Sequence, residues 1–377
     1  MNARSQENTN ARKRNVLVSC LRVFVCFLLW QAAASTLPQP PSTPLAFPAG
    51  QWETIDKPES AGFSSKRLDA VRAWTSTLDT TALMVVVGGR TLLSYGDLAH
   101  VSYLASCRKS VLALLYGRYV EDGTITLDRT LADLNMDDVG GLLPREREAT
   151  IGQVLSARSG VYHKASNGGD DLAHAPPRGS VPPGAMFLYN NWDFNAAGAV
   201  FEQLTGRDIY DALEADLARP LAMQEFDRAK QVKNGDLNAS KFPAYPIWLS
   251  TRDMARIGLL ALRGGEWNGR QLVPRDWIGR TTTRVSPFTH MDQTFEDSPP
   301  TVDRWGYGML WWVYDAAAPG DPLAGAFTAW GVGGQYITVV PKLDMVIAHK
   351  TDTAGRRAVT AAQYGVLLRM LVAAKAQ

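Results

Sequence analysis

The spacing of apolar positions changes period twice along the chain. Residues 64–78 carry apolar, acidic and basic side chains at helical spacing, with Ser64 and Ser65 as N-cap candidates. Two β-rich runs, 83–87 and 91–95, then flank Gly88-Gly89 and predict a hairpin. A helical run opens at about Ser106 and reaches Glu121, where Asp122-Gly123 stops it because glycine accepts the left-handed C-terminal conformation. Further helical patterns cover 151–156, 192–204, 209–217, 251–262 and 274–283. From Trp305 the period returns to strands, at 306–312, 326–330, 335–340 and 343–349, the last two pairing across Pro341-Lys342. A helix over 358–374 closes the chain. Strands at both ends with helices between them predict an α/β (α+β) architecture: one antiparallel sheet built from both chain ends (about 51–105 and 300–377), flanked by helices, with an inserted, mainly helical region (about 106–299).

The first fifty residues follow a different pattern. Arg12-Lys13-Arg14 precedes an apolar run from Val16 to Trp30 and then Ala32-Ala33-Ala34, which reads as a secretory signal over 1–34 with cleavage after Ala34. Arg22 interrupts the apolar run; retention as an anchor, with the chain near a membrane, is the other reading. Residues 35–50 are proline-rich and aperiodic, a tether ahead of the domain at 51–377. The expected location is exported, periplasmic or extracellular.

Composition narrows the picture by exclusion. The chain has 377 residues, 46% hydrophobic and 20% charged, which fits a globular protein and neither a disordered nor a multi-span one. The formal charge is +2, too small to argue for nucleic acid. Of three cysteines, Cys20 and Cys26 lie in the signal, so only Cys107 is left and no intrachain disulfide is expected. His163, His174 and His290 are scattered without metal-ligand spacing, so no metal is expected.

Three stretches carry candidate chemistry. Ser106-Cys107-Arg108-Lys109 puts serine and lysine three residues apart, on one helix face, at a helix start. A serine hydroxyl needs a neighbouring base to attack a carbonyl, and a lysine serves only when desolvation or a nearby cation keeps it neutral. The other reading is a capping serine and a solvated lysine. Cys107 is read as a small buried residue. Tyr189-Asn190-Asn191 follows a loop-like stretch, 162–184, rich in Gly, Pro, Asn, Asp and His, a length that usually serves function. Tyr189 offers a proton relay if a neighbouring cation lowers its pKa, and an asparagine side chain can hold both a lysine and a substrate amide; a buried tyrosine with two turn residues is the alternative. Trp330-Gly331-Val332-Gly333-Gly334-Gln335 would bring strand amides close to a ligand, or form a bulge.

In this order and context, the three stretches resemble the serine β-lactamase and penicillin-binding-protein superfamily, marked by S-x-x-K and a later K-T-G. The chain is most similar to the class C-like branch with Y-x-N as second motif, which holds class C β-lactamases, D-alanyl-D-alanine carboxypeptidases, family VIII esterases and 6-aminohexanoate-dimer hydrolases. The likeness runs from about residue 50 to the C-terminus. It includes Leu155-Ser156-Ala157-Arg158-Ser159-Gly160, the stretch 248–256 and Gly333-Gly334-Gln335-Tyr336. It implies a β-lactamase/transpeptidase-like fold and no cofactor. It also implies Ser106 as acylated nucleophile, Lys109 as its base partner, Tyr189 as general base, and Asn191, Trp330, Gly331, Gly333, Gly334 and Gln335 around a small ester, amide or peptide substrate. Two departures matter. Arg108 replaces a small or polar residue, and Ala329-Trp330-Gly331 stands where the third motif carries a cation. Lys350-Thr351-Asp352 imitates K-T-G but follows the last strand and is read as a decoy. The expected activity is an exported serine hydrolase favouring neutral esters. The rivals are a β-lactamase or D-alanyl-D-alanine carboxypeptidase, or a catalytically weak penicillin-binding sensor.

Overall fold

The computed structural model describes residues 46–291, 304–316, 318 and 320–376; the stretch 1–34 read as a signal and most of the stretch read as a tether lie outside them. The last tether residues belong to the domain body: Phe47 meets Trp267 edge-on at 5.2 Å between centroids.

Seven strands form the main sheet: β1 (Ala82–Val87), β2 (Arg90–Gly96), β3 (Trp305–Tyr307), β4 (Trp312–Tyr314), β5 (Phe327–Gly331), β6 (Gln335–Val340) and β7 (Met345–Lys350). Their order is β2-β1-β7-β6-β5-β4-β3, and every pairing is antiparallel. The N-terminal hairpin thus joins the C-terminal strands along the β1–β7 seam, as the hydrophobic pattern implied. The helices are α1 (Ser65–Thr75), α2 (Cys107–Glu121), α3 (Ile151–Leu155), α4 (Asn191–Thr205), α5 (Ile209–Ala212), α6 (Thr251–Leu262), α7 (Arg275–Thr281) and α8 (Ala361–Ala373). A π-helical segment, Leu213–Ala218, continues α5.

The central strands β1, β6 and β7 are buried at every position. Both faces of the sheet are covered, which is why these strands read as continuous apolar runs instead of alternating ones. Strand β6 shows how the faces divide. Tyr336 stacks on Tyr364 of α8 with centroids 3.6 Å apart, and Thr338 bonds to the Tyr364 hydroxyl at 2.6 Å. Ile337 points the other way, as the two-residue period requires, and meets α6. Gly258 permits that approach, since a Cβ there would lie 2.4 Å from Val346 Cγ1 and 2.9 Å from Ile337 Cγ2.

One expected strand is two. Residues 306–312 are not continuous: β3 and β4 pair as a hairpin with Tyr307 opposite Trp312. The reversal puts Leu310 at φ 60°, an uncommon conformation held from outside. Its amide donates to Leu155 O at 3.0 Å, and its carbonyl accepts from Ser110 Oγ at 2.6 Å. Every residue of the run is apolar, aromatic or glycine, so the pattern carried no mark of the turn.

Candidate active site

The chain approaches α2 through a short bridge. Ser102–Tyr103 pairs with Trp248–Leu249, and the buried Lys350 ammonium is anchored on the carbonyls of Ser102 and Leu249. The third-motif imitation is therefore structural, as read from the sequence. Ala105 then takes φ 48°, which is left-handed backbone, and Ser106 follows at φ −72°, ψ −9°. Because Ser106 already has helical angles, its hydroxyl makes no capping bond. The capping alternative is thereby removed. Strand β5 ends against this turn: a Cβ on Gly331 would lie 2.5 Å from Leu104 O.

Lys109 is one turn further on and buried. Its Nζ donates to Ser106 Oγ at 3.0 Å and to Tyr189 Oη at 2.5 Å. It also lies 4.1 Å from the Tyr189 ring centroid and 4.0 Å from that of Phe194. Burial holds the Lys109 ammonium well below its ordinary pKa, and the neighbouring Arg108 charge adds to that shift. Burial pushes the Tyr189 phenol the other way, above its ordinary value, although a hydrogen bond with Ser106 and the Arg108 charge oppose this. Lysine is thus the group that gives up its proton first, and a tyrosinate is disfavoured. Cys107 faces away: its thiol donates to Gln335 O at 3.2 Å and burial raises its pKa.

Arg108 is buried in the wall of the site. Its guanidinium lies 4.2 Å from the Tyr245 ring centroid and donates to Asn195 Oδ1 at 3.0 Å. Tyr189 enters from the loop before α4, where Asn190 caps the helix by accepting from Trp192 N at 3.0 Å. Asn191 Nδ2 donates to Gly168 O at 2.9 Å, so its amide faces the loop and not Lys109.

These groups border a cavity of about 390 Å³ whose lining includes Ser106, Arg108, Tyr189, Asn191 and Trp330. Val332, 75% exposed, is at its rim. Gly331 supports Ala105 from behind. Gly333 (φ 81°) and Gly334 (φ 102°) make the β5–β6 turn, and Gln335 turns inward to donate to Thr351 O at 2.6 Å. These four are not among the lining residues. Arg304 stacks over Phe288 at 5.7 Å, and neither it nor Arg356 lines the cavity in place of the missing third-motif cation. Tyr103, Trp312 and the loop 167–171 do line it, and they were not named from the sequence. The composition of 162–184 was the available signal for the loop. The two aromatic residues sat in runs indistinguishable from core.

The sheet, the central helix and the Ser–Lys–Tyr cluster at its start define a β-lactamase/transpeptidase-like fold. A family model described as beta-lactamase matches residues 72–368, and the chain belongs to that family of β-lactamase-fold serine hydrolases. Penicillin-binding protein 4 of Amycolatopsis lactamdurans is 26% identical over 275 residues, which cover 66% of this chain and 71% of that protein. Among solved structures, a penicillin-binding protein homologue from Caulobacter crescentus superposes with a TM-score of 0.58 at 18% identity, over 83% of this chain and 99% of that one. A β-lactamase from Mycobacterium bovis gives 0.57 at 20% identity, over 82% and 100%.

Proposed function

We propose that the chain is an exported hydrolase that cleaves ester-type carbonyl substrates through an acyl-Ser106 intermediate. The observation that carries this reading is the Lys109 amine, buried and depressed in pKa, in contact with both Ser106 Oγ and Tyr189 Oη. Neutral Lys109 takes the Ser106 proton as Oγ attacks the carbonyl carbon. The Ser106 amide, at the positive end of α2, and the end of β5 stabilise the oxyanion. The Tyr189 hydroxyl passes a proton to the leaving group while the acyl–leaving-group bond breaks. Water then attacks the acyl-enzyme by the same route in reverse. Asn191 orients the substrate from the loop side.

The substrate preference follows from what borders the cavity. Trp330 offers an indole face and one N–H where relatives with K-T-G place a lysine. A carboxylate-bearing substrate therefore lacks the charge-assisted bond worth about 1.5–3 kcal/mol that such a lysine supplies. Purified 35–377 tested on a short acyl ester, a chromogenic cephalosporin and a D-alanyl dipeptide should turn over the ester best. Efficient cephalosporin turnover would make it a β-lactamase, and stoichiometric penicillin labelling of Ser106 without turnover would make it a sensor. Export rests on the basic, apolar and A-x-A sequence of residues 1–34. N-terminal sequencing of the secreted protein should begin near Ser35, whereas an intact Met1 in the membrane fraction supports the anchor.

A further inference from the structure

The helix turn that carries Ser106 and Lys109 also holds a second buried cation. Arg108 is 2% exposed, and a guanidinium does not lose its proton in a protein. Burying a charge is costly, so buried charges are ordinarily paired with an opposite one. Arg108 has only neutral partners, and among the described residues it forms no ion pair. Its Nη2 donates to Asn195 Oδ1, and its Nη1 is buried without a partner. Asn195 spends Nδ2 on Asn167 Oδ1 at 2.8 Å and on Ser166 Oγ at 3.2 Å, which fixes Oδ1 as the end toward Arg108.

The other titratable groups around this charge do not compensate it. Asp193, on α4, is turned to Ser159 Oγ at 2.5 Å, and burial pushes its carboxyl well above the ordinary value. Burial also pushes up the phenols of Tyr189, Tyr210, Tyr245 and Tyr307, so each is neutral; the Arg108 charge opposes that shift in all four. Cys107, the preceding residue of α2, is a neutral thiol for the same reason. Asp170 is the carboxylate that bears on Lys109, from the loop side, and its pull is weaker than the opposing push of Arg108. A cation beside an amine disfavours the ammonium by repulsion, and a low-dielectric interior keeps that repulsion strong. Arg108 is also the one cationic residue among the described residues that line the cavity, where Trp330 replaces the third-motif cation.

We propose that Arg108 is a positioning residue for the reaction and acts through Lys109: its guanidinium is left without a counter-ion so that the Ser106–Lys109 pair is ready for attack at lower pH than burial alone would allow. The proposal rests on the reading of Lys109 as the base and names what sets its working range. If packing were the whole role of Arg108, an uncharged side chain of similar length would serve it.

NMR titration of the Lys109 amine, on protein isotope-labelled at lysine Cε and assigned through Lys109→Arg, reads the proposal without depending on turnover. Arg108→Met should raise the midpoint by about one pH unit, roughly tenfold less free amine at any pH below it, and Arg108→Lys should hold the midpoint near its original value. Asn195→Asp should raise it too, because a carboxylate in place of Oδ1 at 3.0 Å cancels the guanidinium charge. An unchanged midpoint in Arg108→Met would overturn the proposal; so would an unchanged midpoint in Asn195→Asp, which carries the test if Arg108→Met does not fold. The pH profile of p-nitrophenyl butanoate hydrolysis should move with the titration, and kcat/KM of Arg108→Met should return toward the unsubstituted value at high pH. A loss equal at every pH would mark a packing role and overturn the proposal. A profile that stays in place while the titration moves would overturn it as well, since Lys109 would then not be the base. Absence of hydrolysis by the unsubstituted protein would remove the hydrolase reading, and the titration would still decide whether Arg108 governs Lys109.

Discussion

Helices α2 and α6 both begin with serine, and the two serines are put to opposite uses. Ser250 precedes α6 at φ −81°, ψ 164°, extended backbone that lets its Oγ accept from Asp253 N at 3.2 Å. The same Oγ donates to Glu225 at 2.8 Å, and Glu225 also pairs with Arg252. Asp253 accepts from the amides of Gln224 and Glu225. The start of α6 is thus closed by protein partners. Ser106 has the same place relative to α2, but Ala105 has already turned left-handed and the serine is helical. Its hydroxyl cannot reach back to the first-turn amides and meets Lys109 instead. What distinguishes a cap from a candidate nucleophile here is one residue's backbone angle and whether other protein groups close the helix end.

The comparison can be broken at either helix. The largest effect is expected from Ser106→Ala, which should lower kcat for the best ester by at least about 10³-fold, the scale of removing a nucleophile. The melting temperature should stay nearly unchanged, because the hydroxyl caps nothing and alanine favours a helix. Intact-mass analysis with a fluorophosphonate should show one adduct on the unsubstituted protein and none on the variant. Retained activity would return Ser106 to the role Ser250 plays.

Lys109→Arg should cost about 10²-fold or more, the range of a lost general base, because guanidinium does not deprotonate. In the unsubstituted protein the rate should rise with pH as Lys109 loses its proton. The apparent midpoint belongs to the Lys109–Tyr189 pair and lies below that of an ordinary lysine, since burial and Arg108 disfavour the protonated amine. A rate that falls across that range, or a Lys109→Arg variant keeping more than about a tenth of the activity, roughly 1.4 kcal/mol of barrier, would end the lysine's role as base.

Trp330→Lys sharpens the contrast by placing a cation beside the open end of α2. It should raise kcat/KM for a cephalosporin relative to a neutral ester by about tenfold, equivalent to 1.4 kcal/mol. No change in that ratio would mean that another group already supplies the charge.

The smallest effect is expected at α6. Ser250→Ala should lower stability by about 1 kcal/mol through the lost cap and leave kcat unchanged. Chemical denaturation with parallel ester kinetics checks both; a loss of activity without loss of stability would contradict the structural assignment of Ser250.

The sequence alone determined the elements and their broad arrangement. Continuous apolar runs at both ends, such as 83–87 and 335–340, predicted buried strands because burial on both faces removes alternation. The spacing of Ser106 and Lys109 required only helix geometry, which is local. Tyr189 and Asn191 were singled out through their neighbours and through family resemblance, and their roles rested on contacts across the fold. Tertiary structure decided what depends on such contacts. The turn at Leu310 is held by Leu155 and Ser110 and left no mark in an apolar stretch. Gln335 belongs to the β5–β6 turn region and Gly331 to the support of Ala105, because strand pairing and close packing, not motif spacing, set where a side chain points. Asp170 was one polar residue among many in a loop. Its place in the cavity beside Trp312 and Trp330 is fixed by the packing of α4 and β5 around α2, and local sequence does not encode which distant chain segments share a wall.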